Sequence, residues 1–233
     1  MAEAKDKDKA AAQAREKGKA TQAKAKASKA SGLGYKVSEA DIRTVSEARL
    51  ATVYKAKIVP ELQQQFGYKN LLATPRLTKI VISMGLGKAM VAGEKAKMDS
   101  AERELAVIAA QRPVRCKAKK SVANFKVREG METGLKVTLR GTRMYEFLDR
   151  MISLAIPRVK DFRGMSNNGF DRQGNYNFGF TEQSVFPEVN AADINTQQGM
   201  NITMVTTGRN ANEARELLKG FGFPFKTDEK IKE

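Results

Sequence analysis

The residues of this sequence best suited to chemistry are the cations between Gln111 and Arg128, a stretch that contains no acid. We call this stretch the basic segment. Because burial of an unpaired cation carries a large desolvation penalty, the segment is predicted to lie on a solvated face or against a polyanion. Pro113 and Phe125 favour an extended, partly anchored loop over a fully amphipathic helix. Its cations are Arg112, Arg115, Lys117, Lys119, Lys120, Lys126 and Arg128.

Most catalytic chemistry lacks the residues it needs. The sequence has no histidine and one cysteine, Cys116, so a Cys–His nucleophile pair and the usual structural zinc sites are excluded. The run around Gly87 and Lys88 resembles the end of a phosphate-binding loop. However, Ile82 replaces the first glycine and Ala89 replaces the hydroxyl that binds Mg²⁺. We therefore expect no enzyme, no cofactor and no metal site.

The charge balance indicates the class of partner. The formal net charge is +16 and the pI is about 9.9, which predicts attraction to phosphate backbones. No apolar run approaches the roughly eighteen residues of a membrane-spanning helix, and no secretory signal is present. Glu3, Asp6 and Asp8 are untypical of an organellar transit peptide. With one cysteine and no internal disulfide, we expect a cytoplasmic protein that binds nucleic acid and no membrane.

Composition divides the chain near residue 34. Before that point the sequence is almost entirely alanine, lysine and small polar residues, and no aromatic or large aliphatic side chain follows Met1 until Leu33. Such a segment cannot offset its ordering entropy by burying apolar surface. We predict a disordered extension over residues 1–34 and a single domain over residues 35–233. The extension could trail across RNA or act as a solubilising tail.

Helical spacing of apolar residues predicts four helices in the domain. The first carries Leu50 to Phe66, with a bend near Pro60 and an end at Gly67. The other three carry Ala101 to Ile108 behind a cap at Asp99 or Ser100, Met144 to Ala155 before Pro157, and Ala214 to Leu218 behind a capping box of Asn210 and Glu213.

Alternation of apolar and polar residues predicts four strands, at Leu77–Met84, Leu135–Leu139, Tyr176–Phe180 and Ile202–Thr206. Helices with one apolar stripe and strands with one polar face predict an α+β fold. In this fold, helices pack on one face of a mainly antiparallel sheet, and the other face stays partly free beside the long basic loop. Lys136, Thr138 and Arg140 share the outward face of their strand.

Aromatic residues alternate at Tyr176, Phe178 and Phe180, among glycines and arginines. Aromatic side chains in such a setting either stack on bases or pack across strands. We favour packing against one core, because the alternation places all three on the same face of a strand.

Seven blocks resemble the bacterial form of the family of large-subunit ribosomal protein number five, in that family's order and spacing over roughly residues 40–226. They are IVISMGLG (80–87), KKSVANFKVREGM (119–131), KVTLRGTRMYEFLDR (136–150), IPRVKDFRG (156–164), GFDRQGNY (169–176), FPE (186–188) and GFPF (222–225).

The resemblance implies a structural RNA-binding protein of the ribosome. Members bind 5S rRNA in the central protuberance beside 23S rRNA and other 5S-associated proteins, and they form a bridge to a small-subunit head protein. The family loop that reaches P-site tRNA matches residues 111–126, which include Arg112, Arg115, Lys117, Lys119, Lys120 and Lys126. The positions that match the family's 5S rRNA contacts are Ser83, Gln111, Thr138 and Arg140, and Lys136 lies on the same strand face.

One matching position departs from the family, since Ser83 stands where the family has an asparagine. A hydroxyl offers one donor where an amide offers two donors and a strong acceptor. The alternative interpretations are another RNA-binding protein, such as a translation factor or a double-stranded-RNA-binding protein, and a polyanion-dependent enzyme. Copurification with large subunits through a high-salt wash would favour the ribosomal protein over another RNA-binding protein. A turnover assay tests for an enzyme.

Overall fold

The computed structural model describes residues 47–189 and 196–226, all within one compact unit. Its centre is a five-stranded antiparallel sheet with the order β2-β3-β1-β5-β4. The predicted boundary near residue 34 and the extension before it lie outside the described residues. The strands are β1 (Leu77–Gly85), β2 (Val114–Lys117), β3 (Glu132–Leu139), β4 (Tyr176–Phe180) and β5 (Met200–Thr206).

Six α-helical segments accompany the sheet in the described part of the chain. No helix there is long and apolar enough to cross a membrane. The helices are α1 (Arg49–Val53), α2 (Val59–Phe66), α3 (Gly87–Val91), α4 (Lys95–Ala109), α5 (Gly141–Arg150) and α6 (Ala211–Gly220).

Two π-helical turns extend these helices, and each precedes a proline. Tyr54–Ile58 joins α1 to α2 before Pro60, and Met151–Ala155 continues α5 before Pro157. Proline has no N–H to donate to the carbonyl four residues earlier, which favours a wider turn. A π-helical turn thus lies just before Pro60, near which a bend was predicted, while Pro157 lies within a 3₁₀ turn, Ile156–Arg158. Gly67 ends α2 with a φ of 67°, as predicted.

The helices cover one face of the sheet, which confirms the predicted α+β arrangement. Ile80, Ile82 and Met84 of β1 are fully buried in a core that also contains Leu105, Phe147 and Leu217 from the helices. Burial of each such side chain stabilises the fold by about 1.5–3 kcal/mol relative to exposure. Tyr176 and Phe180 are also buried, so the aromatic alternation packs against the core, as favoured.

The helix caps differ from the predictions. α4 begins at Lys95, ahead of Asp99 and Ser100, and its cap position makes no side-chain hydrogen bond. Asn210 precedes α6 without a side-chain cap, and Glu213 accepts a hydrogen bond from the backbone N–H of Arg209 at 2.8 Å. The predicted capping box is therefore only half formed and is shifted by one residue, whereas the inward-facing residues of both helices are as predicted.

Candidate nucleic-acid interface

The face of the sheet opposite the helices carries the polar side chains of three strands. On β1, Ile82 and Met84 are buried, and Ser83 between them turns to the other face. On β3, Leu135, Val137 and Leu139 are buried, while Lys136 is exposed and Thr138 half-buried. Successive side chains of a strand point to opposite faces, so these polar groups share one surface. We call this surface the open face.

Strand register brings the predicted residues together on the open face. Ser83 pairs directly with Lys136, and Thr138 pairs with Val81 of the same central strand. Directly opposite residues of an antiparallel pair have Cβ atoms about 4.5–5.5 Å apart. Arg140 follows β3 in an extended conformation and is exposed. Alternation puts it on the same side as Thr138.

The polar groups at the centre of this surface have no partners in the part of the chain that the structure describes. Among residues 47–189 and 196–226, the side chains of Ser83, Lys136, Thr138 and Arg140 form no hydrogen bond and no ion pair. Their donors and acceptors are therefore available to a ligand. Gln111 is half-buried in the turn between α4 and β2.

The basic segment forms a hairpin that extends β2 and β3. The sequence analysis predicted β3 but missed β2. Gly130 N donates to Ala118 O at 3.0 Å, and Ala118 N donates to Met131 O at 2.8 Å. Nearer the tip, Val122 and Val127 pair with each other through two backbone hydrogen bonds. We call residues 114–132 the basic hairpin.

The anchoring of the segment differs from the prediction at its aromatic residue. Phe125 is 72% exposed at the tip of the basic hairpin, so it does not anchor the loop. Pro113, in contrast, is buried at the base. The exposed Phe125 ring is an apolar group at the end of a cationic arm.

Arg115 differs from the other cations of the basic segment, because three carboxylates of the protein contact it. Its guanidinium donates to Glu102 through Nε at 2.7 Å, to Asp99 through Nη2 at 2.7 Å and to Glu132 through Nη1 at 3.1 Å. Hydrogen bonds to Glu102 foremost, then to Asp99 and Glu132, raise the pKa of Arg115 above its ordinary value. Carboxylates distant in sequence reach this arginine only after α4 and β3 pack beside β2.

Arg112 also has a partner, because its Nε donates to Glu102 at 3.3 Å, although its side chain is 89% exposed. The other cations of the segment are exposed, and within the described part of the chain they form no ion pair. They are Lys117, Lys119, Lys120, Lys126 and Arg128.

Asn201 is among the polar residues of the open face that sequence reasoning missed. This residue lies on β5 between the buried Met200 and Ile202, and it is exposed. Period-two alternation of Met200, Ile202 and Met204 was a usable signal for its orientation. Its position next to Ser83, in contrast, depends on the pairing of β1 with β5.

An open sheet face with unpaired cations and hydroxyls, beside a basic hairpin, is typical of a protein that binds folded nucleic acid. Two family models match the chain. The model described as ribosomal protein L5 matches residues 70–128, and the model described as the C-terminus of the same ribosomal family matches residues 132–225.

Curated relatives agree with these models. A protein of Thermosipho africanus named large ribosomal subunit protein uL5 is 54% identical over 173 residues, which cover 74% of this chain and 94% of the relative. Proteins with the same name from Kocuria rhizophila and Verminephrobacter eiseniae are each 51% identical, over 77% of this chain and 94% and 99% of their own lengths. The chain belongs to the ribosomal protein uL5 family.

Membership confirms the coarser functional predictions. The family is structural and non-enzymatic, and its members are rRNA-binding proteins of the large ribosomal subunit. The chain is accordingly a structural ribosomal protein, and its location is the cytoplasmic ribosome.

Proposed function

We propose that the chain binds 5S rRNA through the open face and thereby helps to attach it in the central protuberance, beside 23S rRNA. The observation that carries this proposal is the group formed by Ser83, Lys136 and Thr138, which lie side by side without any partner in the described protein. A lysine supplies attraction to phosphates, and hydroxyls supply directional bonds to phosphates and 2′-hydroxyls.

The geometry of the sheet suits a folded RNA. Its open face presents donors from neighbouring strands at fixed cross-strand spacings, so shape and register are recognised together. Arg140 extends the cationic surface past the end of β3. Gln111, in the turn that leads into β2, remains a proposed contact through the family resemblance.

We further propose that the basic hairpin contacts P-site tRNA. Lys117, Lys119, Lys120 and Lys126 project from a backbone that is itself hydrogen-bonded as a hairpin. Cations on an ordered arm lose less freedom on binding than cations on an unstructured loop. In this proposal Arg112 and Arg115, which the resemblance assigns to the same loop, act mainly by holding its base to α4.

The bridge to a small-subunit head protein and contacts with other 5S-associated proteins complete the proposed role. These two partners rest on the family resemblance alone.

A titration of the protein with 5S rRNA at fixed salt tests the sheet-face proposal. Arg140→Ala and Thr138→Ala should each remove one charged or hydroxyl hydrogen bond, which costs about 1–3 kcal/mol and raises the dissociation constant about 5- to 150-fold. Lys95→Ala is the matched control, because Lys95 is an exposed lysine at the start of α4 on the helix layer. Unchanged affinity in both open-face variants would show that 5S rRNA binds elsewhere.

A further inference from the structure

The open face does not end at β1, because the same row of residues continues across the sheet. Ser83 of β1 has Lys136 of β3 as its partner on one side and Asn201 of β5 on the other. Asn201 in turn pairs with Gly179 of β4. Lysine, serine and asparagine therefore stand next to one another on three adjacent strands.

Asn201 is the residue of this row with the richest hydrogen-bonding capacity. Its amide offers two donors and an acceptor in one plane, whereas Ser83 offers a single hydroxyl and Lys136 a charge with little directional preference. A planar amide is the group that pairs with the edge of a base through two bonds. Asn201 is exposed, and its side chain forms no hydrogen bond with any described residue.

The neighbour on the far side leaves room for this amide. A Cβ atom at Gly179 would lie 3.0 Å from the Oδ1 atom of Asn201 and 3.4 Å from the backbone oxygen of Met200. The absence of a side chain at Gly179 thus allows the amide its present position. It also leaves the surface beside the amide low enough for another chain to approach closely.

We propose that Asn201 is a direct RNA-binding residue, whose amide hydrogen-bonds a base edge or a 2′-hydroxyl of the RNA held by Ser83 and Lys136. This inference rests on the proposed function of the open face and extends its footprint from β3 and β1 onto β5. It also gives a physical explanation for Ser83, which stands where the resembling family has an asparagine. The amide that the resemblance places on β1 is supplied here from the neighbouring strand, one position away in the same row.

The first test measures the affinity of the full-length protein for 5S rRNA at several salt concentrations. Asn201→Ala should weaken binding about tenfold, within the range for loss of a bidentate contact. The slope of log affinity against log salt should stay unchanged, since no cation is lost. Asn212→Ala is the matched control, because Asn212 is an exposed asparagine on α6, in the helix layer. Its affinity for 5S rRNA should equal that of the parent.

A variant of Lys136, the lysine of the same row, tests the proposed RNA binding by the open face separately from the inference about Asn201. Lys136→Ala should weaken binding and reduce the salt slope by about 0.7 to 0.9. If Lys136→Ala weakens binding and Asn201→Ala does not, the open face binds RNA and the inference about Asn201 is overturned. If neither variant changes the affinity, the proposed function itself fails.

Two further variants test the chemistry of the amide. Asn201→Asp keeps the shape but removes both donors and adds a negative charge, so it should bind at least as weakly as Asn201→Ala. If Asn201→Asp binds 5S rRNA as tightly as the parent protein, the Asn201 amide does not act as a hydrogen-bond donor to the RNA.

The double variant Ser83→Asn with Asn201→Ala moves the amide from β5 to the neighbouring strand β1. It should recover most of the affinity that Asn201→Ala loses. If the double variant binds 5S rRNA no more tightly than Asn201→Ala, the side chains at positions 83 and 201 do not contact the same part of the RNA.

Discussion

Arg115 on β2 and Glu102 on α4 form an ion pair that fastens an edge strand of the sheet to the helix layer. The carboxylate is 13% exposed and the arginine 34% exposed, so the pair is partly shielded from water. Asp99 of α4 and Glu132 of β3 contact the same guanidinium. One side chain thus joins three elements at the point where the basic hairpin leaves the domain.

Removal of this arginine should loosen the basic hairpin. Arg115→Ala leaves three carboxylates close together without their common cation, so we expect a lower thermal midpoint and faster hydrogen exchange at the amides of Ala118 and Gly130. Arg112→Ala is the control, because its exposed side chain contacts only one of these carboxylates. Hydrogen exchange followed by mass spectrometry or NMR measures the difference. Equal exchange in both variants would argue against a clamp at Arg115.

Neutralisation of the hairpin lysines should separate two binding activities. In a triple variant of Lys117, Lys119 and Lys120 to glutamine, the fold should hardly change, since these exposed side chains form no ion pair in the described protein. Weaker tRNA binding and a salt slope shallower by about two units are expected if all three contact phosphates. P-site tRNA retention and 5S rRNA incorporation are measured on the same ribosomes. Loss of 5S rRNA with normal tRNA retention would contradict the assignment.

Gly134 and Gly85 are partners in the strand register, yet substitution by alanine should destabilise the protein very differently at the two positions. A Cβ atom at Gly134 of β3 would lie 2.5 Å from the carbonyl oxygen of Met84, whereas one at its partner Gly85 would meet nothing within 4 Å. Gly134→Ala should therefore cost about 1–3 kcal/mol of unfolding free energy, and Gly85→Ala about 0.5 kcal/mol or less. Urea denaturation measures both. A similar cost in both variants would exclude close backbone approach as the cause.

Acid should remove the contribution of one surface ion pair. Arg49 Nε donates to Asp149 Oδ2 at 3.0 Å, and this hydrogen bond holds the pKa of Asp149 below its ordinary value. A lowered folded-state pKa contributes stability above the unfolded value of about 3.9, and this stability is lost as the pH falls through the folded value.

Asp149→Asn should consequently cost up to about 1 kcal/mol at neutral pH, because exposed pairs are screened. The difference from the parent should shrink below about pH 4. Urea denaturation between about pH 2.5 and 7 follows this difference. A difference that grows as the pH falls would contradict the sign of the linkage.

Local pattern was enough to predict most elements of the fold. The alternation around Ile82 and Val137 identified β1 and β3 and placed Lys136 and Thr138 on the outward face, because side-chain direction in a strand depends only on its period of two. The absence of histidine excluded the commonest catalytic chemistry, and the charge indicated a polyanion. The helix starts were less predictable, because a cap depends on the entry path of the chain.

Tertiary structure decided which residues became neighbours. The carboxylates that hold Arg115 come from α4 and β3, and Asn201 meets Ser83 only through the pairing of β5 with β1. Strand order and register arise from backbone hydrogen bonds and from core packing between distant segments. The polarity of each residue is therefore a property of the sequence, whereas the row of lysine, serine and asparagine is a property of the assembled sheet.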